Sequence, residues 1–220
     1  MNAVSVLFCF SLLLAVGASQ GTKPCVSPVL MSGGLTVMTM DTMVSTGTVS
    51  YDAIGQRMRI RTVGLTANMT LTDTLMLFNK KVYYEIDWTN FTCTKRPLNT
   101  DFIPMQVPPD AKLMGQVFMG SSSSWGMGVL TNTWYGTLPG NGYYSSVFTE
   151  IGCIPLTFSS YTPENGWITL STFNWVLGNV DPMEYFPPFF CAKAQLEETE
   201  KPDSMFTVVK SLAQRSKMAE

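Results

Sequence analysis

The sequence predicts a mostly β, antiparallel domain, either a sandwich or an open barrel, on a chain made for export. Three observations carry that reading. Apolar and polar residues alternate with period two over short runs, clusters of turn-forming residues separate those runs, and four cysteines lie beyond an apolar leader.

Taken in order, residues 1–20 read as a signal peptide. The run "VSVLFCFSLLLAVGA" is short for a membrane span, and the small residues Val16, Gly17 and Ala18 suit cleavage. A signal anchor is the bland alternative, because no Lys or Arg precedes the run. No second long apolar stretch follows, so no membrane span is expected in the mature chain. The domain is placed at 21–192. In "LTVMTM" (35 to 40) Leu35 and Val37 alternate with Met38 and Met40. In "QRMRIR" Met58 and Ile60 oppose Arg57, Arg59 and Arg61. "LMLFNKKVYYEID" (75 to 87) reads as a strand, a turn and a returning strand, and "GWITLSTFNWVLG" (166 to 178) as a further β run. "GSSSSWGMG", "LPGNG" and "YTPENG" supply the turns. Residues 193–220 form a charged tail in which Met205, Val208, Val209 and Leu212 fall at helical spacing after Asp203 or Ser204, predicting a short amphipathic helix.

The net charge of −2 supplies no positive excess for a polyanion, so nucleic acid is not an expected partner. Arg57, Arg59 and Arg61 are therefore assigned to a watered strand face, with Glu85 and Asp87 as cross-ladder partners. With no histidine, neither a Ser-His nor a Cys-His pair can form, and a zinc site lacks its usual ligands. The acids are scattered rather than gathered in a calcium loop, so the metal site is unknown. No cofactor and no catalytic residue is expected. Cys9 leaves with the leader; Cys25, Cys93, Cys153 and Cys191 remain, enough for two disulfides in any of three pairings. Asn68-Met-Thr and Asn90-Phe-Thr are N-glycosylation sequons, which places both asparagines toward solvent.

Fifteen methionines and five tryptophans form a soft apolar mass that could fill a core or line a site accepting varied apolar shapes. The expected lining is Met38, Met40, Met58, Ile60, Met76, Trp88, Trp125, Trp134, Trp167 and Trp175, on a cup-shaped sheet that takes a lipid-like molecule.

An ordered set of stretches resembles the ependymins and ependymin-related secreted glycoproteins. It comprises Pro24-Cys25 with Pro28, Gly47 with Tyr51-Asp52 and Gln56-Arg57-Met58-Arg59, "VYYEIDWTNFTCTKRPL" (82 to 98), Cys153-Ile-Pro155 and Phe186-Pro-Pro-Phe-Phe-Cys191. The resemblance implies two packed antiparallel sheets forming an open half-barrel with a hydrophobic pocket, similar to bacterial lipoprotein carriers. It also implies the pairing Cys25–Cys153 and Cys93–Cys191, secretion, homodimers, calcium held weakly or through glycans, and association with extracellular matrix. The competing expectation is a structural or adhesive matrix protein of shell or tissue, with calcium-dependent cell-matrix adhesion and no ligand pocket. Some relatives tether the carboxy-terminal end with a further cysteine pair; this chain has no cysteine after Cys191.

Overall fold

A computed structural model describes residues 22–40, 44–65, 70–164, 166–178 and 181–197. The expected signal peptide, Asn68 and the expected tail helix lie outside the described residues. The strands are β1 (Leu30–Thr39), β2 (Val44–Asp52), β3 (Arg57–Gly64), β4 (Leu71–Leu77), β5 (Val82–Asp87), β6 (Thr92–Pro97), β7 (Lys112–Gly120), β8 (Gly128–Leu138), β9 (Gly142–Thr149), β10 (Pro155–Thr162) and β11 (Gly166–Leu177). Two meanders, β1–β6 and β7–β11, join where β1 pairs antiparallel with β11. The strands expected in two sheets thus share one unbroken ladder of eleven, ordered β6-β5-β4-β3-β2-β1-β11-β10-β9-β8-β7. The ladder does not close. The fold is mostly β and antiparallel, with the open half-barrel form.

The connection from β6 to β7, residues 98–111, links the two opposite edges. A flat sheet of that many strands is about 48 Å across, and a connection of that length reaches about 50 Å only when fully drawn out. It is not drawn out. Phe102 stacks on Tyr51 of β2 at 5.9 Å and meets Phe78 edge-on at 5.3 Å. The Met105 amide donates to the Tyr51 hydroxyl at 3.0 Å, and the Ala111 amide turns back to the Pro108 carbonyl. The sheet must therefore curl toward the crossover, and the face beneath it is concave.

Register assigns side chains to that face. Met31 pairs with Tyr51, Tyr51 with Met58, Met58 with Met76, and Met76 with Tyr83, so these residues lie in one row across five strands. They join Leu35, Val37, Val49, Ile60, Phe78, Leu98 and Ile168 in the main core. Two backbone features hold the row together. Strands β2 and β3 approach so closely at Gly47 that an added Cβ would lie 1.8 Å from the Arg61 carbonyl oxygen. The β1–β11 register shifts between Ser32 and Gly34, opposite Asn174 in the left-handed region at φ 53°. Beyond that bulge, Trp175 packs against the main core.

The convex face departs from expectation. Arg57, Arg59 and Arg61 do alternate with Met58 and Ile60, yet Arg59 is buried and Arg57 and Arg61 are only partly open to water. The segment Asp181–Lys193, with 3-10 turns at Pro182–Tyr185 and Phe189–Lys193, lies over them as a strap. Arg59 is 4% exposed and Asp73 of β4 is 2% exposed. Arg59 donates through Nε and Nη2 to the two Asp73 oxygens at 2.8 and 2.7 Å, and through Nη1 to the Glu184 carbonyl at 2.9 Å. Arg61 bridges Asp73 at 3.4 Å and the Glu184 carboxylate at 2.9 Å, while Trp88 Nε1 donates to Asp73 at 2.7 Å. Arg57 binds Asp52 at 2.8 Å and lies 4.6 Å above the Tyr185 ring.

The expected partners were misplaced for a register reason. Glu85 pairs with Thr74, which shares the concave side with Ile60, and its carboxylate meets Arg96 at 3.2 Å. Asp87 accepts the amides of Thr89 and Asn90 at the next turn. Around the arginines, Leu75, Leu77, Ile86, Tyr185 and Cys191 make a second core. Alternation identifies two faces but does not say which is wet. A strap supplied from more than a hundred residues away covers the arginine side as well.

One disulfide fastens the strap, and the other anchors the N-terminal segment that hydrogen-bonds to the crossover. Cys25 bonds to Cys153, and the Val107 amide of the crossover donates to the Cys25 carbonyl at 2.9 Å. Cys93 of β6 bonds to Cys191 of the strap. The sequence separations are 128 and 98 residues. Loops of that size stabilise by about 4–5 kcal/mol each in the chain-entropy treatment.

Replacing Arg59 with Met strips a buried carboxylate of its bidentate partner and is expected to lower stability by about 3–5 kcal/mol. Arg61→Met, at a more exposed position, should cost under about 1 kcal/mol. Urea unfolding of the two variants measures the difference. Similar small losses at both positions would show that Arg59 is not needed to hold Asp73 under the strap.

Candidate functional site

The concave face is the candidate site, built by strand alternation from both meanders. On β8 and β9 the ladder sets Trp134 opposite Ser146, and on β9 and β10 it sets Ser146 opposite Phe158 and Tyr144 opposite Ser160. Tyr144 stacks on Phe158 with centroids 5.8 Å apart. Trp134, Phe148, Val107 and Cys153 form a third core against Cys25 and Ala111. Trp175 is oriented through Nε1, which donates to the Pro155 carbonyl at 2.9 Å and to Thr172 Oγ1 at 3.1 Å. By register, the concave side chains of β8–β11 and β1–β4 carry no formal charge among the described residues. Charge meets this face at the β5–β6 edge, where Glu85 and Arg96 pair, and at the end of β9, where the Glu150 carboxylate accepts from Asn132 and Gln116. Such a surface can bury apolar molecules and orient them through a few hydroxyl and indole groups.

The expected lining residues divide between the faces. Met58, Ile60 and Met76 are buried on the concave side in the main core, and Trp175 packs against it. Trp134 is buried on the same side in the third core. Met38 pairs with Thr169 and Val44, and it is exposed on the convex side. Met40 lies exposed past the end of β1. Trp167 is exposed on the convex side and belongs to a cluster with Tyr143 and Tyr161. Trp88 is occupied with Asp73 and meets Phe190 at 5.4 Å. Trp125 sits fully exposed in the turn between β7 and β8.

Strand phase sets Met38 and Trp167 on the convex side, while Met40, Trp88 and Trp125 fall just beyond strand ends or in a turn. Leu35, Val37 and Ile168 occupy the concave positions that Met38 and Trp167 had been given. Tyr51, Tyr83, Tyr144, Phe148 and Phe158 were missed, although each alternates in phase with the apolar positions of its own strand.

Asn90 is exposed at the β5–β6 turn, and its Nδ2 donates to Asp87 at 2.8 Å. Hydrogen bonds from Asn90 and Thr89 hold the Asp87 carboxyl below its ordinary pKa. Among the described residues no three His, Cys, Asp or Glu gather as a metal cage, and no helix is long and apolar enough to cross a membrane.

The family model described as Ependymin matches residues 66–191, from the approach to β4 through Cys191. The chain belongs to the ependymin family. Ependymin-2 of Carassius auratus is 35% identical over 94% of this chain and 98% of its own length. Ependymin of Notemigonus crysoleucas is 33% identical over 94% of this chain and 98% of its own. A solved structure of an uncharacterized conserved protein from Thermus thermophilus shares the fold at a TM-score of 0.50 with 11% identity, covering 87% of this chain and 99% of that one. This ependymin-family chain therefore spans nearly the full length of both ependymins, and the Cys93–Cys191 bond and the strap's first turn fall within the matched region.

Two phenols report on the integrity of the two faces. Burial raises the Tyr51 hydroxyl's pKa against the opposing hydrogen bond from Met105, and burial beside Asp52 raises that of Tyr185 against the opposing charge of Arg57. An unfolded tyrosine ionises near pH ~10. Both groups are then neutral in the fold where the unfolded chain has begun to ionise. Their contribution is complete below that pH and is lost as pH rises through the folded values. Phenolate absorbance followed during alkaline titration should show late-ionising tyrosines that appear together with unfolding. The Tyr51→Phe and Tyr185→Phe variants should each remove one of them.

Proposed function

We propose that this ependymin-family chain is a secreted, non-enzymatic glycoprotein that holds a lipid-like molecule against the concave face of its half-barrel. The observation that carries the reading is the uncharged methionine- and aromatic-rich surface running from β8 to β4 beneath the crossover. Polarizable side chains of this kind adapt to apolar guests of varied shape. Two disulfides and an exposed Asn90 sequon suit an oxidising, glycosylating compartment. Native mass spectrometry and displacement of a fluorescent fatty-chain probe from purified protein test it. Binding at micromolar concentration is expected; failure to bind together with a crystal structure whose interior is filled by side chains would end the reading.

A second role, in association, is supported by the unequal treatment of the two sheet edges. The β6 edge is covered: Leu196 bridges Lys95, the Glu197 amide donates to the Lys95 carbonyl, and Glu197 pairs with Arg96 at 2.8 Å. The β7 edge has no partner strand among the described residues and exposes Leu113, Met114, Val117, Phe118 and Met119. An apolar edge of this length invites strand addition. We propose that a second copy pairs along it to give the homodimer. The same surface, with calcium acting through exposed carboxylates or glycans, would serve attachment to matrix. Val117→Lys should shift sedimentation from dimer to monomer while leaving probe binding intact. A wild-type monomer at all concentrations would refute the pairing.

A further inference from the structure

On the concave face the Trp134 indole and the Ser146 hydroxyl lack a hydrogen-bond partner among the described residues, and the ladder makes them neighbours. Trp134 is 2% exposed and Ser146 is 3% exposed, and neither the indole Nε1 nor the hydroxyl Oγ has a partner. The residues are direct cross-strand partners on β8 and β9, so both side chains leave the sheet on the same concave side. Buried polar groups are paired in the great majority of cases, and an unpaired donor is costly. An adjacent pair of this kind is a built site for a guest that accepts hydrogen bonds.

The chemistry of the pair narrows what it takes. An indole N–H only donates, while a serine hydroxyl donates and accepts. A hydroxyl guest can accept from Trp134 and exchange a bond with Ser146, and a carbonyl oxygen can accept from both. An anionic headgroup fits poorly. The neighbours on this face are Asn132, Tyr144, Phe148 and Phe158, none cationic. Two residue pairs along the ladder, on the same face, Asn132 binds the Glu150 carboxylate, which brings a like charge toward any carboxylate guest. Burying a charge without a counter-charge is unfavourable.

We infer that Trp134 and Ser146 dock the headgroup of the ligand, and that this headgroup is an uncharged oxygen function, a hydroxyl or an ester carbonyl, rather than a free carboxylate. The inference rests on the proposed apolar binding face and adds to it the class of guest: neutral amphiphiles such as long-chain alcohols, sterols or acylglycerols.

The test uses the full purified protein and three pyrene probes with the same twelve-carbon chain (about the length of a short lipid tail). One ends in an alcohol, one in a carboxylate, and one is the bare hydrocarbon. The alcohol is expected to bind tightest. Trp134→Phe and Ser146→Ala should each weaken the alcohol about three- to tenfold more than they weaken the hydrocarbon, so that the two affinities converge. Circular dichroism confirms that each variant is folded, and either variant alone suffices. Equal wild-type affinities for all three probes, or a preference for the carboxylate, would overturn the headgroup site and leave the apolar face standing. Uptake of none of the three would remove the apolar face and the inference with it. If the two atoms serve only a permanent water, both variants will lower the melting temperature of the free protein without changing the order of the affinities, which also overturns the site.

Discussion

The edge-to-edge crossover of residues 98–111 is the constraint on which the rest of the structure depends. A meander can lie flat, but a meander whose last strand must feed the opposite edge of the same sheet cannot, because the chain is barely long enough to span it. Curling shortens the path and creates an inside. The crossover then fills part of that inside with Leu98, Phe102, Met105 and Val107, so the connection that imposes the curvature also supplies core to reward it.

The two faces are covered by different means and locked alike. Inside, the crossover lies on aromatic and aliphatic groups, and Tyr51 gives it one hydrogen bond. Outside, the strap lies on an ionic lattice in which Asp73 accepts from Arg59, Arg61 and Trp88. Burying charge is costly unless every group is matched, and here the bidentate geometry and the Glu184 carbonyl supply the match. One disulfide fastens the strap and the other the N-terminal segment lying against the crossover, so the cysteines are spent on long-range closures that packing alone would hold less firmly.

The fold class was legible because period-two alternation and turn chemistry are local signals. Strand phase was legible at β3, where charge and apolar residues contrast, and Met58 and Ile60 point inward as read. It was not legible at β1, where Leu35 and Val37 compete with Met38 and Met40 at similar hydrophobicity, or at β11, where Trp167 and Ile168 do. There the decision belongs to pairing with β2 and β10. The burial of the arginines was invisible for another reason: their cover comes from Pro182–Lys193, far away in sequence and unremarkable alone. Cysteine arithmetic left three pairings open, and only family resemblance separated them.

The β1–β11 seam has a consequence for biogenesis. Strand β1 leaves the ribosome early, but its second neighbour is the last strand of the sheet, so Leu30–Thr39 waits for Gly166–Leu177 through the synthesis of everything between. Throughout that interval a nascent N-terminal meander carries a raw, gluey flank. Late suturing of this kind slows folding, and it places the ripening chain, rather than the finished one, at greatest hazard of clumping.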